Sequence, residues 1–263
     1  MDNVKTAQCL SCARESALEA GRILYENWQQ PKAINQIQAH DIKLKLDVQT
    51  QQFLALRLQN AFPEISILGE EADSGNLQSP YRWVIDPIDG TVNYTFDIPH
   101  ACISIALQER QSDYWQTVLG LIHDPFLNET WEATSFTDPT LNGKPISVSH
   151  RSLLKESVVS IGFAKLQNNL NEAIQAFTNL TSHVCKIRIM GSAALDLAYI
   201  ACGRLDAYIE TGLRLWDIAA GGYILQRAGG TFDAKPIIGG ERESYRLIAT
   251  NGKIDSQIIQ YLS

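Results

Sequence analysis

The sequence lacks several features that would assign it directly to a class of protein. No apolar run among its 263 residues is long enough to span a bilayer, and the N-terminus lacks the basic start and apolar core of a signal peptide. The net charge is −7 and no run of Lys or Arg occurs, which disfavours non-specific nucleic-acid binding. The Gly-x-Gly-x-x-Gly fingerprint of dinucleotide-binding folds is absent. We therefore expect a cytoplasmic protein without a membrane or nucleic-acid partner.

Cysteines are few, odd in number and scattered through apolar segments. There are five cysteines, and all are expected to be reduced and buried, as is usual in a cytoplasmic protein. Cys9 and Cys12 form a Cys-x-x-Cys pair, but no second pair or nearby His completes the four ligands that zinc needs. Because this segment has helical periodicity, we interpret the pair as part of a helix face.

The remaining pattern predicts a mixed α/β protein. Apolar residues recur at helical spacing over residues 3–28 and roughly 45–61. Alternation and β-branched residues predict strands in the following β-rich block, where Asn142-Gly143 is a strong hairpin signal. The predicted strands before residue 150 are 65–68, 82–85, 102–107, 118–123 and 130–133.

Strands and helices alternate beyond about residue 150, and no flexible linker separates the two parts. We therefore expect one domain over residues 1–263, built of two tightly packed subdomains, approximately 1–150 and 151–263. The predicted strands of the second part are 158–161, 207–209 and 247–249, and its predicted helices are 168–180, 193–203, 217–228 and 253–262.

The most informative segment is the nonapeptide Trp-Val-Ile-Asp-Pro-Ile-Asp-Gly-Thr, which ends at Thr91. Asp86 and Asp89, separated by a predicted proline turn, could bind adjacent hard cations such as Mg²⁺ or Mn²⁺. The turn would free the carbonyl of Ile88 as another ligand. Gly90 and Thr91 would offer backbone N–H groups to a phosphate oxygen. Alternatively, the same residues could form only an Asx turn and a helix cap.

Further carboxylates stand where predicted elements begin or end. Glu70 and Glu71 follow a predicted strand. Asp217 begins a predicted helix, and Asp47 sits early in the second helix. Each alone could be a solvated loop residue or a helix cap. Together they could ligate two ions about 4 Å apart, which would stabilise the attacking and leaving oxygens of a phosphoryl displacement.

Two of these segments resemble the signatures of the inositol monophosphatase family. Residues 83–93 are similar to the first signature and residues 215–221 to the second, while Glu70-Glu71 lies where the family has its upstream metal glutamate. The resemblance covers nearly the whole chain, in order. It implies an αβαβα sandwich of the inositol monophosphatase and fructose-1,6-bisphosphatase type, usually a homodimer. It also implies a Mg²⁺-dependent, lithium-inhibited phosphomonoesterase.

The resemblance implies a set of metal ligands. Two Mg²⁺ ions, for which Mn²⁺ is a possible substitute, would share Asp86, and a weaker third ion would sit near Glu70. The chain departs from the family at Leu44, where a threonine is usual, and it has no matching upstream lysine, unless Lys43 or Lys45 supplies the cation. This departure bears on the third ion and on lithium inhibition. The implied ligands are Glu70, Asp86, the Ile88 carbonyl, Asp89 and Asp217.

The resemblance also implies how water and substrate would be held. Thr91, supported by Asp47, would orient a metal-activated water for in-line attack without a phosphoenzyme, and Glu70 would be the third catalytic residue. The alcohol part of the substrate would face residues from the second half of the chain. The implied substrate contacts are Asp89, Gly90, Thr91, Ser192, Ala193, Glu210 and Asp217.

The favoured substrate is a small polyol phosphate, above all myo-inositol monophosphate, because residues 191–195 and Glu210 look most like that branch of the family. Other members of the fold cleave histidinol phosphate, fructose 1,6-bisphosphate or 3′-phosphoadenosine nucleotides. A non-catalytic regulatory protein on the same fold is a further alternative. The motif around Asp86 does not choose among substrates, since fold does not settle substrate.

Overall fold

Two β-sheets alternate with three helical layers. The computed structural model describes residues 1–32, 34–38, 41–76, 78–163, 167–237 and 244–262. Among these residues, no helix is long and apolar enough to cross a membrane. The helices are α1 (Asn3–Asn27), α2 (Lys45–Ala61), α3 (Thr91–Thr95), α4 (Gln167–Leu180), α5 (Ala193–Ala201), α6 (Leu215–Arg227) and α7 (Asp255–Leu262).

The first sheet contains seven strands in chain order. Its first two strands run parallel and all other neighbours are antiparallel. A separate two-stranded hairpin precedes it, formed by β1 (Ile34–Gln38) and β2 (Asp41–Leu44). The seven strands are β3 (Ser66–Gly69), β4 (Tyr81–Asp89), β5 (Cys102–Arg110), β6 (Trp115–Asp124), β7 (Glu129–Thr134), β8 (Thr140–Leu141) and β9 (Lys144–Pro145).

The second sheet contains five strands and requires crossovers. Its order is β11-β10-β12-β14-β13; the pairs of β10 are parallel and those of β14 are antiparallel. The helices between its strands therefore cover its faces. The five strands are β10 (Val158–Ile161), β11 (Lys186–Arg188), β12 (Ala207–Leu213), β13 (Thr231–Ile237) and β14 (Ser244–Thr250).

Helices α1 and α2 cover the outer face of the first sheet. The side chain of Asp2 caps α1 by accepting a hydrogen bond from the N–H of Lys5 at 2.8 Å. The buried face of α1 is rich in alanine, which lets the helix approach the sheet closely and pack with Trp83 and Ile105. Its buried residues at helical spacing include Ala13, Ala17, Ala20 and Leu24.

Helices α5 and α6 form the middle layer. Both are apolar almost all round, as expected of helices buried between two sheets. Val84 and Ala106 of the first sheet and Tyr208 and Leu247 of the second belong to the same core as these helices. Helices α4 and α7 pack in a further core with the outer face of the second sheet. The predicted αβαβα sandwich is therefore confirmed.

Most predicted elements lie where the structure has them. The helix predicted over 45–61 and the strand predicted over 158–161 match α2 and β10. Asn142 and Gly143 have φ values of 50° and 75° between β8 and β9, so the predicted hairpin turn is confirmed. Strands β1, β2, β11 and β13 were not predicted. Helices α5 and α6 pack on both sheets, so one core joins the two halves of the chain. The division into two subdomains therefore stays a prediction.

The contact between β6 and α6 leaves no room for a side chain at Gly120, where a Cβ would lie 2.6 Å from the carbonyl oxygen of Ala220. We expect Gly120→Ala to lower the free energy of unfolding by about 1–3 kcal/mol through overpacking. Urea denaturation followed by circular dichroism measures the change. Gly143→Asn is the control, because its side chain would enter open space and Asn tolerates positive φ. Equal stability of Gly120→Ala and the wild type would contradict the close packing of this layer.

Candidate active site

The nonapeptide lies at the end of β4, beside β5. The strand continues through Asp89, and its pairing with β5 shifts register between Asp86 and Asp89. The prediction of a strand ending at Ile85, followed by a turn, was therefore wrong in its boundary. The irregularity has the expected local effect, because the N–H of Ile88 donates to Asp86 Oδ1 at 3.0 Å. Both carboxylates are buried.

Gly90 turns the chain from β4 into α3. Its φ is +93°, and a Cβ there would lie 2.9 Å from the carbonyl oxygen of His100. Both the backbone conformation and the close contact therefore require glycine. The next residue, Thr91, begins the helix. Its hydroxyl lies 2.9 Å from the Ile88 carbonyl oxygen and 3.4 Å from Asp47 Oδ1. The predicted pairing of Thr91 with Asp47 is thus present in the structure.

Asp47 reaches this point from the first turn of α2. It is buried, and its Oδ2 accepts a hydrogen bond from the N–H of Leu44 at 2.6 Å. The side chain of Leu44 is buried in the core under α1 and α2. Because leucine is aliphatic, this side chain supplies no oxygen ligand to the site. The neighbouring His40 and the side chains of Asp41 and Lys43 lie outside the part of the chain that the structure describes.

Asp89 is held by the start of α5. Its Oδ2 accepts hydrogen bonds from the Ser192 hydroxyl at 2.6 Å and from the N–H of Ala194 at 2.7 Å. Ser192 also caps α5, where its hydroxyl lies 3.4 Å from the N–H of Leu195. Ser192 and Ala193 are both buried. Ser192 therefore positions a carboxylate in this structure, while its contact with a substrate, like that of Ala193, stays a prediction.

Asp217 occupies the third position of α6. Its Oδ2 accepts a hydrogen bond from the N–H of Arg214 at 2.6 Å, so it closes the first turn of the helix from inside. The predicted helix start at residue 217 was two residues late. A capping role and a ligand role are compatible, because this hydrogen bond uses one of its two carboxylate oxygens.

Glu70 follows β3 and lies next to β4. Its N–H donates to the carbonyl oxygen of Ile85 at 3.1 Å, which continues the parallel pairing of the two strands by one residue. Its carboxyl group forms a hydrogen bond with that of Asp86. At Glu71, by contrast, the backbone N–H donates to Gln51 Oε1 at 2.8 Å. The structure therefore distinguishes Glu70 from Glu71 as the member of the pair that meets Asp86.

Burial and mutual repulsion dominate the electrostatics of the carboxylate cluster, which we define as Glu70, Asp86, Asp89 and Asp217. Burial, followed by the charges of Glu70 and Asp89, raises the pKa of Asp86 well above its ordinary value. Burial also raises the pKa of Asp217, followed by the charge of Asp89. Burial raises the pKa of Asp89 to about 6, although hydrogen bonds from Ser192 and Ala194 oppose the shift.

The donor set of this cluster fits a hard divalent cation. It consists of carboxylate oxygens and the Ile88 carbonyl oxygen, the ligand type that Mg²⁺ prefers. A cation would also offset the repulsion that raises the pKa values of Asp86 and Asp217. Within the described ranges, no group of three or more His, Cys, Asp or Glu side chains stands in an arrangement that could hold a metal ion.

Glu210 lies on β12, half-buried, at the side of the cluster. Its Oε2 accepts a hydrogen bond from the hydroxyl of Tyr208, which is fully buried on the same face of the strand. Gly162 leaves the space that this carboxylate fills, since a Cβ at Gly162 would overlap it. The charge of Glu210 contributes to the raised pKa of Asp217, so the two groups interact.

Tyr208 and Gly162 were missed in the sequence. The period of two along a strand could have indicated that Tyr208 and Glu210 share a face. Nothing in the sequence pairs Gly162 with Glu210, because the two residues meet only through the parallel pairing of β10 with β12. His100, the histidine that follows the nonapeptide in the chain, packs edge-on against Tyr199, with ring centroids 5.9 Å apart.

Known proteins are similar to this chain in both sequence and fold. The model of the inositol monophosphatase family matches residues 5–263. The chain is 35% identical to the inositol-1-monophosphatase of Synechocystis, over 97% of this chain and 88% of that protein. It is 36% identical to the Nus factor SuhB of Xylella fastidiosa, over 94% and 92%. The extragenic suppressor protein suhB from Bartonella henselae superposes with a TM-score of 0.87 at 29% identity, over 97% and 98%.

The burial of Asp89 predicts a stability change that is independent of turnover. Its folded pKa of about 6 exceeds the ordinary value, so the ionised side chain penalises folding above pH 6, and the penalty fades as pH falls towards 4. Metal-free Asp89→Asn should therefore be more stable than the wild type at pH 7.5, by roughly 1–3 kcal/mol, and lose that advantage near pH 4. Mg²⁺ should raise the unfolding midpoint of the wild type but scarcely that of the variant.

Urea denaturation in EDTA and in Mg²⁺, at several pH values, checks both statements. Asp138→Asn serves as the control, because Asp138 is exposed in the loop between β7 and β8. It should respond to pH and Mg²⁺ as the wild type does. A metal-free Asp89→Asn that is less stable than the wild type at pH 7.5 would contradict the electrostatic account of the cluster.

Proposed function

The chain belongs to the inositol monophosphatase family, and we propose that it is a Mg²⁺-dependent phosphomonoesterase that hydrolyses a small polyol phosphate, with myo-inositol monophosphate as the first candidate. The family is metal-dependent, generally on Mg²⁺. One observation carries the proposal to this chain. The Thr91 hydroxyl stands between the Ile88 carbonyl and Asp47, beside four carboxylates brought together from distant segments.

The carboxylate cluster and the Ile88 carbonyl would hold the cations in this proposal. When bound, Mg²⁺ supplies positive charge that stabilises the phosphate oxygens during displacement and lowers the pKa of water. Asp86 would hold a cation together with Glu70, Asp89 and Asp217, because the charges of all three act on it. We expect two ions to suffice, since the Leu44 side chain lies in the core and adds no oxygen for a third.

Thr91 and Asp47 would handle the attacking water. The hydroxyl of Thr91 has one proton, which the Ile88 carbonyl or Asp47 accepts. Its oxygen therefore keeps lone pairs that can accept a hydrogen bond from a water molecule. Asp47, held by the N–H of Leu44, keeps the hydroxyl in that orientation. The pair can thus aim a water at the phosphorus without forming a covalent bond to the substrate.

The remaining contacts would hold the two ends of the ester. The N–H groups of Gly90 and Thr91 follow the cluster directly and would bind a phosphate oxygen. Glu210, held by Tyr208, would accept hydrogen bonds from hydroxyl groups of the alcohol. A site built to bind hydroxyl groups needs such a fixed acceptor. Ser192 and Ala193 would contact the alcohol only if the substrate extends past Asp89.

The cluster also favours an enzyme over a non-catalytic member of the fold. Buried carboxylates that repel each other destabilise a protein unless they bind a cation. A protein that only bound a partner through its surface would gain nothing from keeping Asp86, Asp89 and Asp217 together. A homodimer and lithium inhibition stay predictions from the family resemblance, and a cytoplasmic location and the possible substitution of Mn²⁺ stay predictions from the sequence.

The direct test is phosphate release from a panel of phosphomonoesters, with Mg²⁺, with EDTA, and with added lithium. We expect Mg²⁺-dependent release that is highest for myo-inositol 1-phosphate. Preference for histidinol phosphate, fructose 1,6-bisphosphate or 3′-phosphoadenosine nucleotides would reassign the substrate and keep the reaction. Absence of release from every ester would refute the proposal and favour the non-catalytic alternative.

Thr91→Val should separate water activation from metal binding. The substitution removes the hydroxyl and little volume, so we expect turnover to fall by about 10²- to 10⁴-fold. The rise of the unfolding midpoint in Mg²⁺ should persist, because no carboxylate is lost. Thr95→Val is the matched control: its hydroxyl donates to the carbonyl of Thr91 one turn earlier and faces no carboxylate of the cluster. Near-normal turnover by Thr91→Val would remove the hydroxyl from the mechanism.

Glu210→Gln should affect the alcohol and spare the phosphate. The amide can still accept from Tyr208, but it is a weaker acceptor for the hydroxyl groups of a polyol. We expect kcat/KM to fall roughly tenfold or more for myo-inositol 1-phosphate and to change little for p-nitrophenyl phosphate. Glu156→Gln, an exposed glutamate on a short 3₁₀ turn, is the control. Equal losses on both esters would show that Glu210 supports the fold rather than the alcohol.

A further inference from the structure

A cavity of about 220 Å³ lies between α4, the C-terminal residues of α7 and the second sheet. The volume suits a small ligand such as one sugar ring, because drug-sized ligands occupy pockets of roughly 300 Å³ or more. Its walls combine apolar residues of α4 and β12 with a few polar groups. The polar residues that matter here are Glu172, Glu210, Thr211 and Arg246.

Glu210 connects this cavity to the proposed active site. Its carboxylate lines the cavity and also interacts with Asp217 of the carboxylate cluster. Gly162 lies at the same wall, and its missing side chain leaves the opening that the Glu210 carboxylate occupies. A molecule that is hydrogen-bonded to Glu210 can therefore extend into the cavity.

Three polar side chains that contact one another form another part of the cavity wall. Thr211 of β12 and Arg246 of β14 are paired across the sheet. Glu172 of α4 meets both of them: the Thr211 hydroxyl donates to Glu172 Oε2 at 3.1 Å, and Arg246 Nε lies 3.5 Å from the same oxygen. The guanidinium of Arg246 is thereby already engaged with a carboxylate of this chain.

We propose that this cavity receives the far side of the leaving alcohol, and that Glu172, by pairing with Arg246, restricts it to alcohols without a second anionic group. The inference rests on the proposed function and adds a specificity-determining pair to it. Glu172, Glu210 and Arg246 together give the wall one net negative charge. A neutral polyol finds hydrogen-bond acceptors there, whereas a second phosphate or carboxylate meets two carboxylates and an engaged arginine.

The geometry also sets the size of the effect. The side chains of Glu172 and Arg246 are 56% and 40% exposed, so water and salt screen their charges. Replacing Glu172 by Gln frees Arg246 for a second anionic group and removes one negative charge. We expect Glu172→Gln to raise kcat/KM for fructose 1,6-bisphosphate relative to myo-inositol 1-phosphate by about two- to fivefold. The gain should shrink in 0.5 M NaCl.

A double-mutant cycle tests the pair. Glu172→Gln combined with Arg246→Gln should return the ratio towards the wild-type value, because the arginine that would bind the second phosphate is gone. Glu26→Gln is the matched control: Glu26 also pairs with an arginine, Arg22, but on the exposed face of α1. It should leave the ratio unchanged. An unchanged ratio in Glu172→Gln, with an active enzyme, would overturn the inference and leave the proposed function intact.

A binding measurement with myo-inositol 1-phosphate and fructose 1,6-bisphosphate keeps the inference testable if the wild type hydrolyses no ester of the panel, in which case the proposed function fails. Thermal-shift titrations with both esters in EDTA then give the ratio of dissociation constants. We expect Glu172→Gln to shift this ratio towards fructose 1,6-bisphosphate, and the double variant to reverse the shift. The same ratio in the wild type and Glu172→Gln would overturn the cavity assignment on its own.

Discussion

The placement of several like charges in one buried region is the constraint on which the rest of this structure depends. The carboxylate cluster draws its members from the ends of β3 and β4 and from the first turn of α6. Each aspartate accepts a hydrogen bond that holds it: Asp86 from Ile88, Asp89 from Ser192 and Ala194 of the distant helix α5, and Asp217 from Arg214. These hydrogen bonds orient the carboxylates but do not cancel their repulsion, which packing elsewhere must offset until a cation binds.

The layered fold supplies that packing, and it also points the positive N-terminal ends of two helices at the cluster. The middle helices α5 and α6 pack on both sheets, and both begin near the cluster, since Ser192 caps α5 and Asp217 lies in the first turn of α6. The N-terminal ends of helices favour negative charge. Asp89 lies against the first of these ends and Asp217 within the second. The same helix starts would favour a phosphate group brought next to them.

Local signals were enough for elements whose structure is decided locally. The apolar period over residues 45–61 predicted α2, and the Asn142-Gly143 pair predicted its hairpin. Strand β13 escaped prediction because it lies at the edge of its sheet and contains Pro236, so its extended form depends on pairing with β14. The end of β4 was misplaced for a related reason: pairing with β5 carries the strand past Asp86, through a shift of register.

The site divides in the same way, and the division explains why the substrate is the harder question. Several of the groups proposed to act on the phosphate and the water, among them Asp86, Asp89 and Thr91, lie within one short segment, so the sequence pattern carries them. The groups proposed to meet the alcohol come from α4, β12 and β14, and a residue such as Arg246 acquires its neighbours only when the second sheet forms. Relatives that share the short segment can therefore differ freely in the alcohol they accept, because no residue of that segment contacts the far wall of the cavity.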